Sequence, residues 1–201
     1  MRKKRKGSLE FTLQKKNKTK PGSKYTIRNI LNTFFIVFAA VVLGFAVTQF
    51  CFQSVYMTGP SMQDKLLNDD ELILNKMAYK IGKINRYDIV AIKRIGSEDY
   101  YDIKRVVGIP GDSLSVVAGR LVINGKQVDE KYPFAVINSP GVLSDSVKLG
   151  DDEYFCIGDN VSNSEDSRFI NYGNVQKSEI KGKIIYIIQP KERRGKINNG
   201  Y

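Results

Sequence analysis

Three short segments carry side chains able to do chemistry: Thr58-Gly59-Pro60-Ser61-Met62, the run Tyr101 to Asp112 with Lys104 inside it, and Gly158 to Arg168. Ser61 is a potential nucleophile, but a serine hydroxyl is weak until a neighbouring base takes its proton. The chain contains no histidine. Ser-His-Asp and Cys-His arrangements are therefore excluded by inventory, together with the usual zinc sites. A neutral lysine can serve as the base instead, and Lys104 is flanked by Ile103, Val106, Val107 and Ile109, apolar material able to bury it. Burial matters because an ordinary lysine pKa of about 10.4 keeps the side chain charged near neutrality, and desolvation disfavours that charged form. Each segment also has a plainer reading. Gly-Pro-Ser-Met makes a turn, and a lysine in an apolar strand protects an edge or snorkels to water. The third segment is a solvated loop or, through Asp159, Asn163, Glu165 and Asp166, a calcium loop, although it lacks EF-hand spacing and the distal glutamate.

The elements that must position these residues begin with a membrane segment. At 201 residues the chain has room for one such segment and one domain of ordinary size. Its formal charge of +11 belongs to one end: residues 1–28 hold eleven of the 32 Lys and Arg but only Glu10 of the 21 acids. A nucleic-acid surface needs its cations on the folded domain, so nucleic acid is not an expected partner. From Asn29 to Gln63 there is no Asp, Glu, Lys or Arg, and Ile30 to Phe52 is almost wholly apolar. That run exceeds the ~20 residues a spanning helix requires. Cations on its N-terminal side put that side in the cytoplasm and the following domain on the outer face. A cleaved secretory signal has the same basic start, but a shorter apolar run and a small-residue exit, whereas this one leaves through Gln49, Phe50 and Phe52. The expected organisation is a basic cytoplasmic tail over 1–28, a transmembrane anchor over 29–52, an outer domain over 53–190 and a polar tail over 191–201. That makes a single-pass protein of the cell membrane.

Beyond the anchor the hydrophobic pattern has period two. Glu71 to Asn75, Asp88 to Arg94, Asp102 to Val107, Ser113 to Val117, Arg120 to Ile123 and Lys183 to Ile188 all read as strands, with Glu153 to Ile157 strand-like as well, so the domain is mainly β. Asn124-Gly125 between two such runs predicts a hairpin, because both turn positions need positive φ. Tyr132 to Gly150 is polar and turn-rich and reads as a surface loop or small insertion. Cys51 and Cys156 have neither metal spacing nor a near partner and read as small hydrophobes.

Taken together, in this order and just beyond an N-terminal anchor, the three segments resemble the type I signal peptidases, in their short Gram-positive-like form. These are membrane-anchored enzymes that remove signal peptides from exported proteins. Asp102 to Asp112 is the longest matching stretch, and Asn68 to Lys76 is similar to the family's strand after the nucleophile. The resemblance implies a β-rich catalytic domain behind one transmembrane helix, and a serine endopeptidase cutting after small-x-small sites such as Ala-x-Ala. It makes Ser61 the nucleophile and Lys104 the general base, a pairing that the absence of histidine also favours. It aligns Ser164 with a serine that hydrogen-bonds and aims the lysine, and Asp166 and Arg168 with a salt-bridged pair bracing the site. The oxyanion donors become the backbone N–H of Ser61 and a group from Gly59. Pro60 has no N–H, and Gly59 has only its backbone to give. The pocket walls become Val55, Met57, Thr58, Met62, Leu66 and Ile103, with core packing an equal reading for Leu66 and Ile103.

No cofactor or metal is implied. The expected partners are signal peptides of exported preproteins and the lipid bilayer, and the sequence is silent on oligomeric state. Two departures from the family pattern stand out: Gln63-Asp64-Lys65 where proline and threonine are usual, and Val161 where an arginine is common. The alternative function is a weakly active or inactive relative that assists assembly of surface proteins. A self-cleaving repressor of the related Ser-Lys type is soluble and carries a DNA-binding domain where this chain has its apolar run.

Overall fold

The computed structural model describes residues 24–93 and 100–198. The basic tail up to residue 23, Arg94 at the end of one expected strand, and residues 199–201 of the expected polar tail lie outside them. The chain forms two compact units, Met1–Phe45 and Ala46–Tyr201.

Helix α1 spans Lys24–Cys51. It has no proline and a single glycine, Gly44, so nothing interrupts its hydrogen-bond ladder. Its large apolar side chains face outward all round, Phe34 at 70% exposure and Leu43 at 66% among them. Thr26–Cys51 is long and apolar enough to cross a membrane. At 1.5 Å per residue its 26 residues reach about 39 Å, against a hydrocarbon core of about 30 Å.

The second unit is built from twelve short strands: β1 (Phe52–Tyr56), β2 (Glu71–Asn75), β3 (Ile89–Ile92), β4 (Asp102–Gly108), β5 (Ser113–Val117), β6 (Arg120–Ile123), β7 (Lys126–Gln127), β8 (Val147–Lys148), β9 (Glu153–Ile157), β10 (Val175–Gln176), β11 (Ile180–Gln189) and β12 (Gly195–Lys196). One helical turn, α2 (Ala78–Ile81), sits between β2 and β3. An antiparallel sheet runs in the order β1-β2-β11-β3-β4-β9-β10, with β12 added to β11, and a smaller one in the order β7-β6-β5-β8. The expected strands appear at or within a few residues of their predicted bounds. The hairpin turns at Asn124 (φ 50°) and Gly125 (φ 76°), as that dipeptide requires. Strand β4 is buried on both faces: Ile103 packs in one apolar cluster, Val106 in a second and Val107 in a third. A strand so placed reads as a continuous apolar run, and any charge on it must find a partner.

Three expectations change. Residues 132–150 are not a bare surface loop: Phe134, Ala135 and Leu143, carried on 3₁₀ turns, and Ile137 and Leu149 beside them are buried in the cluster between the sheets. Their irregular spacing matches neither period, which is why pattern reading passed over them. The polar tail docks over its described part, residues 191–198: β12 pairs with β11, and Ile197, 6% exposed, joins the first cluster. Finally, Phe52–Tyr56 is a strand whose single sheet neighbour among the described residues is β2, paired from Phe52↔Asn75 to Tyr56↔Glu71. Gln53 and Ser54 had hidden its alternation.

Candidate active site

Ser61 lies on the turn that links β1 to β2. The turn is closed at its base by the Met57 N–H donating to the Asp70 carbonyl and the Asp69 N–H donating to the Met57 carbonyl, both at 2.9 Å. Beneath it Met57, Met62 and Leu66 are at most 1% exposed, anchoring the turn in the core so that Ser61 is held at its crest. From the far end of the chain Arg193 ion-pairs with Asp70 and donates to the Lys65 carbonyl at 2.9 Å, clasping the same turn.

Lys104 comes from β4. Its Nζ donates to Ser61 Oγ at 3.1 Å, and the two residues are 4% and 7% exposed. Burial pushes the lysine down from its ordinary value, opposed by the carboxylates of Asp102 and Asp166. The closest of these, Asp102 Oδ1, lies 3.9 Å from Nζ. A base with a depressed pKa in hydrogen-bond reach of a hydroxyl is the arrangement that activates a serine.

The third segment leaves β9 and wraps the turn. The Asn160 N–H donates to the Ser61 carbonyl at 2.9 Å, and the Gly158 N–H to Asp166 Oδ2 at 3.1 Å. A Cβ on Gly158 would lie 2.4 Å from the Ser61 carbonyl oxygen and 2.3 Å from Ser164 Oγ, so the two chain segments approach this closely only across a glycine. Asp166 and Arg168 form the expected pair, doubly bonded from Nε at 2.8 Å and Nη2 at 2.9 Å, both at most 1% exposed. Arg168 Nη2 also donates to the Val161 carbonyl at 2.8 Å, so position 161 contributes through its backbone whatever its side chain.

Other expected roles fall differently. Ser164 does not reach the lysine: its Oγ is buried with no hydrogen-bond partner among the described residues. The Gly59 N–H donates to Asn68 Oδ1 at 2.7 Å and is engaged there, whereas the Ser61 N–H makes no hydrogen bond among the described residues. Of the six expected pocket residues, Val55 and Thr58 line a cavity of about 200 Å³ together with Gln53, Ser54, Tyr56, Tyr100 and Tyr101. Met57, Met62, Leu66 and Ile103 pack in the core behind it. Their apolar character suits either position, and sequence alone does not separate them. Of the three carboxylates in the calcium reading, Asp159 and Asp166 are engaged by guanidinium groups and Glu165 is exposed.

Sequence reasoning missed one pair altogether. Arg105, beside Lys104, is 0% exposed and meets Asp159 with Nε at 2.7 Å and Nη2 at 2.6 Å. An arginine inside an apolar strand was itself the signal, since such a charge demands a counter-ion.

The profile of the family described as signal peptidase, peptidase S26, matches residues 28–189, which takes in all of this arrangement except Arg193. The chain belongs to that family. Signal peptidase I S of Bacillus subtilis is 32% identical over 181 residues, covering 85% of this chain and 95% of its own. Signal peptidase I of Bacillus caldolyticus is 34% identical over 164 residues, covering 76% and 88%. A solved signal peptidase I from Enterococcus faecalis aligns over 51% of this chain and 97% of its own, at 25% identity and a TM-score of 0.40. As a signal peptidase, the chain is a serine endopeptidase that cleaves signal peptides from preproteins.

Proposed function

We propose that this signal peptidase cuts after small-x-small sequences with Ser61 as nucleophile and Lys104 as general base. The 3.1 Å contact between Lys104 Nζ and Ser61 Oγ, in a buried setting, carries that reading. Neutral Nζ takes the hydroxyl proton as Oγ attacks the scissile carbonyl. The resulting oxyanion is received by the Ser61 N–H; one such donor is worth about 2.7–4 kcal/mol in other proteases. Because the Gly59 N–H is engaged by Asn68, Gly59 serves as second donor only if substrate displaces that side chain. The ammonium then returns its proton to the leaving amine, and neutral lysine activates the water that hydrolyses the acyl-enzyme. Asp166 with Arg168, and Arg105 with Asp159, brace the loop and strand that meet at the serine. Ser164, buried beside Gly158, fills that junction.

An extended peptide adds to the open edge of β1, where only β2 is paired, and its small side chains enter the cavity at Val55 and Thr58. The cavity measures about 200 Å³, so the preference for alanine rests on the small-x-small sites that the family resemblance implies and not on volume. Helix α1 serves as the membrane anchor. The basic residues before it place the N-terminus in the cytoplasm and the peptidase domain, residues 53–190 with the docked tail, on the outer face.

The test is cleavage of a peptide carrying Ala-x-Ala by the full chain in detergent or lipid vesicles. Cleavage after the second alanine, lost when that alanine becomes phenylalanine, is expected. No cleavage in either medium would sink the reading.

A further inference from the structure

The carboxylates around Lys104 differ in what they face. Asp159 is held by Arg105, and Asp166 by Arg168. Glu165, on the same loop as Asp166, is exposed. Among the described residues Asp102 has no guanidinium partner. It stands two residues before Lys104 on β4, so both side chains project from the same face of the strand. One carboxylate oxygen lies 3.9 Å from Lys104 Nζ, and the other accepts the Tyr172 hydroxyl at 3.4 Å. The Asp102 side chain is 31% exposed against 5% for the lysine, so the carboxylate keeps part of its hydration while the amine has lost nearly all of its own.

We propose that Asp102, tethered by Tyr172, is a tuning residue for the base: a built-in counter-ion that keeps Lys104 a strong enough base and delays its deprotonation to higher pH. The inference rests on the reading of Lys104 as general base. Burial and the carboxylate act in opposite senses on the same amine. Burial alone would give a lysine that is neutral at lower pH but weakly basic, and a weak base transfers the serine proton less well. The remaining groups facing the amine are Ser61 from the turn, Cys156 from β9, and Asp166 and Glu165 from the loop after it. Of the acids among these and Asp102, only Asp102 combines a distance under 4 Å with no arginine partner among the described residues.

The consequence is a double signature in the pH profile of the full chain in detergent. In Asp102→Asn the acid limb of kcat/KM moves to lower pH. At about one pH unit below the wild-type limb the variant is roughly three- to tenfold faster than wild type. On the high-pH plateau it is slower, because its base is weaker. Asp102→Glu, which keeps the charge, restores a limb close to wild type. Asp102→Thr, which favours the strand, gives the same displacement as asparagine and serves if asparagine disturbs folding. A merely structural role would lower the rate at every pH and leave the limb in place. An unmoved limb in both Asn and Thr variants, with unchanged thermal melts, overturns the inference and leaves the Ser-Lys reading standing. Wild-type cleavage by Lys104→Ala overturns both.

Discussion

Two lysines in the main sheet face each other across one strand. Lys183 on β11 and Lys104 on β4 are both registered opposite Val90 of β3. Lys183 meets Asp88 Oδ1 at 2.6 Å, and the other oxygen of that carboxylate accepts the Tyr79 hydroxyl at 2.9 Å and the Asn85 N–H at 3.1 Å. Lys104 finds a serine hydroxyl at 3.1 Å and its nearest carboxylate only at 3.9 Å. Lys183 keeps 25% of its side chain exposed, Lys104 5%. Residue type, sheet and register are shared. What separates a strut from a base is how deeply the amine is buried and how closely an acid approaches it.

The largest effect that would sharpen this contrast is on rate. Ser61→Ala and Lys104→Ala are expected to cost about a thousandfold or more in kcat with the fold intact, while Lys183→Met stays within a few-fold of wild type. A comparable loss in Lys183→Met, measured on folded protein, would erase the distinction.

Arg105 supplies a third cation, adjacent to Lys104 but wholly paired. Arg105→Met takes both guanidinium bonds from the buried Asp159 carboxylate and is expected to lower stability by about 3–5 kcal/mol in denaturant unfolding. A smaller loss would mean that water reaches Asp159 in the variant. Lys183→Met leaves Asp88 still held by the Tyr79 hydroxyl and the Asn85 N–H and is expected to cost less, about 1–3 kcal/mol.

The smallest effect is a gain. Burial holds Lys104 in the folded chain below its ordinary value of 10.5. Between the folded and unfolded values the unfolded chain therefore binds more protons, and stability rises with pH through that window. Lys104→Met removes the penalty. Its thermal melt is expected to exceed wild type near neutrality, the difference shrinking as pH climbs toward 10.5. A constant difference across that range would show that packing, not desolvation, separates the two proteins.

Much of the site was legible because its signals are local. Ser61 after Gly-Pro, Lys104 within an apolar run, and Asp166 two residues from Arg168 all lie inside short windows, and the absence of histidine narrowed the chemistry further. The Asp166–Arg168 pair needs no knowledge of the fold, since one loop carries both partners. Arg105 and Asp159 are 54 residues apart, and no window contains them. Met57 and Met62 read as pocket walls, and Leu66 and Ile103 as pocket or core, while all four pack in the core, since hydropathy reports the wish to be buried and not the surface that does the burying. The engagement of the Gly59 N–H by Asn68, nine residues on, depends on the path of the turn between them.

The sequence by itself determined the apolar helix, the period-two strands, the Asn-Gly hairpin and the inventory from which a catalytic pair must be drawn. Each follows from side-chain periodicity, backbone preference or composition, which act over a few residues. Tertiary structure decided which lysine loses its water and which keeps a carboxylate, that the C-terminal tail clasps the Ser61 turn through Arg193, and that residues 132–150 furnish core. Those outcomes depend on groups brought together across the sheet, where desolvation and Coulomb attraction act on distance in space and take no account of distance along the chain.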